Sequence, residues 1–258
     1  MKIVFDQVDK NFGLITALSN VSFTIDQGEF VFIVGHSGAG KSTILKLLLN
    51  QIKPTHGQII IDNIDLSRGH KNEIDSIRRQ IGVIFQDYQL IMDKSVEENI
   101  ALSLDIINYP HSKISAKIDE VIKQVDLNSR RYLFPAQLSG GELQRAALAR
   151  ALAIEPKIIL ADEPTGNLDV ENSWNLVKLL KNINESSHTT IIMTTHNQEI
   201  VDSLDKRRLE IKDGRIIKDF TPGVSVKPVT AKKNINSTKK WPLLKLLGII
   251  SDDHQFKV

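Results

Sequence analysis

The stretch Phe30-Val31-Phe32-Ile33-Val34-Gly35-His36-Ser37-Gly38-Ala39-Gly40-Lys41-Ser42-Thr43 decides the fold. Five consecutive apolar residues closed by a glycine read as a strand buried on both faces. Residues 35–42 then fit the pattern G-x-x-x-x-G-K-[ST], in which glycines let the backbone wrap around phosphate with its N–H groups pointing inward. Residues 41–50 read as a helix, whose positive N-terminal end points into the same loop. Lys41 is therefore expected to reach the β- and γ-phosphates of a nucleotide. The Ser42 hydroxyl is expected to ligate Mg²⁺, with Thr43 beside it.

Outward from this unit the chain alternates between the two periodicities. Residues 2–8, 22–25, 58–61, 82–85, 157–160 and 189–194 read as strands, and residues 140–154, 172–184 and 200–204 as helices. Residues 95–127 read as helical, with Ile118, Val121, Ile122 and Val125 on one face. Residues 208–212 and 215–218 flank Asp213-Gly214, a strong hairpin signal. Strands separated by helices imply an α/β fold with parallel pairing and right-handed crossovers. The mostly helical block at about residues 67–128 interrupts that alternation and reads as an insertion.

Composition agrees. The 258 residues are 41% hydrophobic and 25% charged, ordinary for a globular protein and unlike a disordered or collagenous chain. The absence of cysteine removes a disulfide framework, thiolate metal sites, iron–sulfur ligation and a cysteine nucleophile together. The N-terminal residues lack the long apolar core of a signal peptide, and no stretch approaches the ~20 apolar residues of a membrane span. The net charge of +2 divides unevenly: residues 221–258 carry seven lysines against two aspartates, leaving a mildly acidic body. That body gives no sign of a nucleic-acid-binding surface. The tail is poor in large apolar residues until 241–250, where Leu243, Leu246, Leu247 and Ile250 share a helical face.

Two further elements carry chemistry. Ile158-Ile159-Leu160-Ala161-Asp162-Glu163 is an apolar strand ending in two carboxylates. Alone it is as well read as a strand leaving the core into a solvated turn. Beside a phosphate loop, Asp162 would hold Mg²⁺ through water and Glu163 would polarise the attacking water. Leu138-Ser139-Gly140-Gly141-Glu142 precedes a helix and reads either as a serine N-cap or as a second anion cradle. One chain with one phosphate loop has no use for two cradles. Two chains arranged head-to-tail do, each covering the γ-phosphate held by the other.

With these motifs in order the chain resembles the nucleotide-binding subunits of ABC-type ATPases, over about residues 1–219. The resemblance implies a P-loop NTPase domain with a RecA-like core, an antiparallel β subdomain and a helical insertion at about residues 87–155, followed by a basic linker and tail at 220–258. It also assigns roles. Phe12 stacks on adenine, where the family usually has tyrosine. Residues Gly35, His36, Ser37, Gly38, Ala39, Gly40, Lys41, Ser42 and Thr43 bind ATP. Gln86 contacts Mg²⁺ and the attacking water, and His196 contacts the γ-phosphate. Ser139, Gly140, Gly141 and Asp169 serve the nucleotide across a homodimer.

Finer text is similar to the FtsE branch, the bacterial cell-division ATPases. It comprises the loop Gly35-His36-Ser37-Gly38-Ala39-Gly40, Arg78-Arg79-Gln80-Ile81-Gly82, Ile84-Phe85-Gln86-Asp87, Leu90-Ile91-Met92-Asp93 and Phe134-Pro135-Ala136-Gln137-Leu138. That branch implies an FtsX-like integral membrane partner, peripheral attachment at the cytoplasmic face of the plasma membrane, no nucleic acid, and control of cell-wall hydrolysis. The lipoprotein-releasing and macrolide-type exporter ATPases share much of this text. They usually have serine for Ala39 and lack the Met92-Asp93 pair. Three departures stand out: Leu143 for glutamine, Asn197 for an acid, and a longer tail. A single core without a long heptad run argues against ABC proteins of ribosomes or DNA repair, and the presence of Lys41, Glu163 and His196 argues against a binding module without turnover.

Overall fold

The computed structural model describes residues 1–222; the amphipathic stretch at 241–250 and nearly all of the tail expected at 220–258 lie outside the described residues. Its centre is a six-stranded sheet ordered β10-β9-β3-β8-β7-β6, built from β3 (Phe30–Val34), β6 (Ile81–Ile84), β7 (Ile158–Asp162), β8 (Thr190–Thr195), β9 (Arg207–Lys212) and β10 (Arg215–Phe220). Strands β9, β3, β8, β7 and β6 pair in parallel, and β10 closes one edge as the antiparallel arm of the Asp213-Gly214 hairpin. Both turn residues have positive φ (48° and 73°), as a two-residue hairpin turn demands.

All five residues of β3 are buried because the pleat divides them between two cores. Phe30, Phe32 and Val34 pack on one face of the sheet with Ile159, Ala161, Ile191 and Met193. Val31 and Ile33 pack on the other with Ile158, Leu160 and Ile192. A strand covered on both sides has no polar face to alternate with, which is why its sequence is a continuous apolar run.

The second core also joins α1 (Lys41–Leu48) to an antiparallel sheet ordered β2-β1-β4-β5, comprising β1 (Ile3–Phe12), β2 (Ile15–Ile25), β4 (His56–Ile61) and β5 (Ile64–Asp65). The first core holds the helices α3 (Val96–Ile106), α4 (His111–Gln124), α5 (Gly140–Ala153) and α6 (Val170–Ser187) against the sheet. A short helix, α7 (Gln198–Leu204), follows β8.

Several boundaries differ from the sequence reading. Residues 95–127 are two helices, since Asn108 turns left-handed (φ 56°) and Pro110 caps α4. Strands β1 and β2 are longer than alternation indicated because bulges in their ladder break the period of two. Helix α2 (Lys71–Arg78) and strand β5 are additional. The block 67–128 is not one helical insertion: Ile74 and Ile77 of α2 pack into the second core, and β6 is an edge strand of the central sheet. The helical layer proper is α3, α4 and α5.

Candidate functional site

The loop after β3 is held open by backbone on both sides. A Cβ at Gly35 would stand 2.4 Å from the Ile211 carbonyl oxygen, so β9 passes where no side chain fits. Gly40 adopts φ 111° and would bring a Cβ within 2.8 Å of the Ala17 oxygen. The Gly214 N–H donates to Ala39 O at 3.1 Å, tying the loop to the β9–β10 hairpin. Gly40 then opens α1 at Lys41. The Lys41 side chain, only 5% exposed, folds back along the loop and donates to the carbonyls of Gly35 (2.9 Å) and His36 (3.1 Å). A helix N-terminus, a glycine-rich loop and a fixed ammonium thus share one concavity.

The carboxylates arrive from the end of β7. Ser42 Oγ donates to Asp162 Oδ1 at 3.1 Å, and Thr194 Oγ1 donates to the same oxygen at 2.7 Å. Thr194 Oγ1 also accepts the Glu163 N–H at 2.9 Å, so one hydroxyl of β8 orients both acids. Glu163 sits at φ 44°, a left-handed conformation that costs a residue with a Cβ about 1 kcal/mol. The turn places its carboxylate between the Lys41 ammonium and the His196 ring: Oε1 is 3.0 Å from Lys41 Nζ, and Oε2 accepts from His196 Nδ1 at 2.8 Å. Burial pushes the Glu163 pKa up, but the hydrogen bonds and charges of Lys41 and His196 outweigh it and hold the carboxyl below its usual range. His196 itself is exposed.

Gln86 follows β6, the edge strand beside β7. Its carbonyl accepts from Asn167 Nδ2 at 2.9 Å, and its amide packs where a Cβ on Gly166 would stand 3.1 Å away. Ala17, Ser37, Gly38, Ser42, Thr43 and Gln86 join Lys41, Asp162, Glu163 and His196 around one cleft of about 650 Å³. The Ser42 hydroxyl and Asp162 carboxylate are hard oxygen donors 3.1 Å apart, suited to a Mg²⁺ that completes its shell with water and phosphate oxygens. Among the described residues no cluster of three or more His, Asp or Glu side chains is arranged to hold a metal by itself.

The remaining candidate residues stand apart and make no hydrogen bond to Lys41, Asp162, Glu163 or His196. Ser139 is the N-cap of α5, with a complete capping box to Glu142. Glu142 Oε2 accepts from the Ser139 N–H (2.8 Å) and hydroxyl (2.9 Å), and Oε1 accepts from Arg130 Nε (2.7 Å). The Ser139 N–H first, then Arg130 and the Ser139 hydroxyl, push the Glu142 pKa down to about 2. Gly140 and Gly141 form the first turn. Asp169 is the N-cap of α6 and accepts from the Asn172 N–H (2.8 Å) and side chain (2.7 Å). Phe12 is half-exposed at the end of β1, with Lys10 Nζ 4.9 Å above its ring.

Sequence reasoning did not assign three supporting contacts: Thr194 orienting both acids, Asn167, otherwise read only as part of a dimer-facing loop with Asp169, holding the Gln86 backbone, and Glu142 of the Ser139 motif tying down that serine. Of these only Glu142 had a local signal, its place three residues after a serine N-cap; Thr194 is one of three threonines in β8 and is singled out only by its register with Asp162.

Known proteins share this chain's sequence and fold. Residues 18–166 match the family model described as ABC transporter. The chain is 46% identical over 209 residues to the cell division ATP-binding protein FtsE of Bacillus subtilis (strain 168), covering 81% of this chain and 91% of the relative. It is 40% identical over 226 residues to FtsE of Mycobacterium tuberculosis (strain H37Rv), covering 87% and 98%. The methionine import ATP-binding protein MetN of Haemophilus influenzae (strain Rd) is 40% identical over 227 residues, covering 87% of this chain and 66% of MetN. Among solved structures, the ATP-binding cassette MJ0796 in a dimeric post-hydrolysis state bound to ADP and Pi aligns with a TM-score of 0.78 at 36% identity, covering 86% of this chain and all of that one.

Proposed function

This chain belongs to the ABC transporter family of ATP-binding subunits, on its FtsE branch, and we propose that it is the ATP-hydrolysing subunit of an FtsEX-like complex, with its nucleotide sites shared between two copies. One observation carries the catalytic part: Lys41, Ser42, Asp162, Glu163, Gln86 and His196 converge from four separate segments on one cleft at the carboxyl edge of the parallel sheet. Ligands of open α/β sheets bind at that edge.

The residues divide the work as follows. Loop amides and the α1 N-terminus hold the phosphates. Lys41 exchanges the Glu163 carboxylate for β- and γ-phosphate oxygens. Glu163, released from that cation, orients a water and takes its proton. His196 steadies the γ-phosphate, and Gln86 contacts the attacking water. Ser42 and Asp162 would hold Mg²⁺, which when bound neutralises charge on the β- and γ-phosphates. Phe12 offers its face to adenine. Ser139, Gly140, Gly141 and Asp169 complete the site held by the other copy, the neighbouring cassette MJ0796 being dimeric with ADP and Pi.

Among the described residues no helix is long and apolar enough to cross a membrane. The membrane part of the complex is a separate FtsX-like protein, to which this subunit attaches peripherally at the cytoplasmic face, through a surface that includes residues 87–98 beyond Gln86. ATP-driven closure of the dimer is relayed through that protein to cell-wall hydrolysis. Co-purification tests the branch. A four-span membrane protein with one large extracytoplasmic loop supports the division reading, and recovery with an exporter subunit overturns it.

A further inference from the structure

The segment after Gln86 is anchored from a direction that the nucleotide chemistry does not use. Arg150, on α5, makes no ion pair among the described residues. Its guanidinium reaches across to the chain beyond β6 and donates to Gln89 O (Nη1, 2.5 Å) and Tyr88 O (Nη2, 3.2 Å). Both of those residues are in the left-handed region, at φ 62° for Tyr88 and 46° for Gln89. Outside a tight hairpin turn such as Asp62-Asn63, two consecutive non-glycine residues in that region are costly and call for a compensating contact. A planar fork that satisfies two adjacent carbonyls supplies it, and a lysine has no equivalent geometry.

The same segment touches the second anion cradle. A Cβ built on Gly140 would stand 3.3 Å from the Tyr88 hydroxyl, so the end of the Tyr88 side chain packs beside the first turn of α5 and leaves no room for a larger residue there. On its other side the segment is held by Asn167, through the Gln86 carbonyl, and is packed on Gly166. The carbonyl of Arg150 accepts from Ser103 Oγ at 3.2 Å, which locks α3 to α5 at the same level.

We infer that Tyr88 and Arg150 are positioning residues that carry the state of Gln86 to the Ser139-Gly140-Gly141 turn. A shift of Gln86 toward a γ-phosphate moves residues 86–89. Arg150 makes α5 follow them as one body, and the Tyr88 hydroxyl sets where Gly140 stands. The cradle offered to the other copy's nucleotide is thereby set by the nucleotide in this copy's own cleft. This rests on the shared-site reading above and adds to it the two side chains, Arg150 and Tyr88, that fasten residues 86–89 to α5.

The experiment compares the parent chain with Arg150→Met, Arg150→Lys and Tyr88→Phe. It reads ATP affinity by equilibrium binding, kcat by phosphate release with the membrane partner present, and the yield of ATP-dependent dimer in a Glu163→Gln background. ATP affinity is expected to stay within about twofold, because neither side chain touches the cleft. For Arg150→Met, kcat and dimer yield are expected to fall about tenfold or more, the scale of losing a charged hydrogen-bond donor. Arg150→Lys should fall between Arg150→Met and parent, and Tyr88→Phe, which removes only an oxygen packed against Gly140, should lose about threefold. Parental kcat and dimer yield in both Arg150→Met and Tyr88→Phe overturn the relay and leave the ATPase reading standing. So does an Arg150→Met variant that loses thermal stability and ATP affinity together while Tyr88→Phe is parental. A parent that neither binds nor hydrolyses ATP overturns the reading on which the relay rests.

Discussion

Lys41 Nζ lies 3.0 Å from Glu163 Oε1, so the cation that the loop offers to phosphate and the carboxylate proposed as base are each other's counter-ion. Nucleotide binding has to separate them. Glu163→Gln weakens that competition while leaving a side chain of the same shape. The variant should therefore bind ATP at least as tightly as the parent, and its turnover should fall about 10²–10⁴-fold, the usual contribution of a positioned general base. Equilibrium binding and phosphate release on the same preparation check both halves. Parental turnover in Glu163→Gln removes the base assignment.

Lys41→Ala separates the same pair from the other side. It removes the ammonium that the Gly35 and His36 carbonyls hold in the loop. ATP affinity is expected to drop about 10–100-fold, in line with losing a charge-assisted contact to phosphate. Glu163 also loses the partner that holds its pKa down, so its carboxyl should titrate at higher pH than in the parent. Isothermal titration with ATP tests the first effect and carboxyl-resolved NMR the second. Near-native affinity would contradict the phosphate-loop assignment.

Acid should weaken the Ser139 turn through Glu142. Its folded pKa, about 2, lies below the ordinary value of 4.5, so the ionised carboxylate is the form that the fold prefers. That stabilisation is complete above about 4.5 and is lost as the pH falls from there toward 2. Glu142→Gln should be less stable than the parent at neutral pH. The gap between their urea midpoints should stay constant down to about pH 4.5 and narrow below it. A gap that does not change with pH would mean that the capping carboxylate adds nothing to stability.

The partner surface is testable at Asp93. Glu97 is the poorer choice, because it is already paired with Arg131 at 2.8 Å, and Arg131 also binds Asp119. Asp93 is exposed and makes no such bridge among the described residues. Asp93→Lys should lower recovery of the membrane partner in co-purification and leave ATP affinity unchanged. Undiminished recovery takes this segment out of the interface.

Much of the cleft was legible because its parts are local. The phosphate loop needs glycines, a lysine and a serine at fixed offsets between a buried strand and a helix, and all of that is written within residues 30–50. The β7 carboxylates follow the same logic. What was not legible depends on partners distant in sequence. Thr194 meets Asp162 only because β8 pairs with β7 in parallel register. Arg150 reaches Tyr88 and Gln89 only because α5 packs beside the chain leaving β6, some 60 positions earlier. Glu142 was visible as part of a capping pattern, but Arg130, its second partner, was not. The extent of β1 and β2 was hidden by bulges, and the break between α3 and α4 by an apolar pattern that runs on through it.

The central claim is that two copies build each nucleotide site together, and one crosslink tests it most directly. The chain contains no cysteine, so a pair can be introduced on a silent background. Ser139→Cys with Ser37→Cys, combined with Glu163→Gln, puts one thiol on the α5 cap and one on the phosphate loop. Position 37 is preferable to Gly38, whose φ of 77° disfavours a side chain. Under mild oxidation with Mg-ATP the account predicts a covalent dimer that forms poorly with ADP and, once Lys41→Ala is added, only at correspondingly higher ATP. A chain that stays monomeric at saturating ATP, or crosslinks equally without nucleotide, would contradict it.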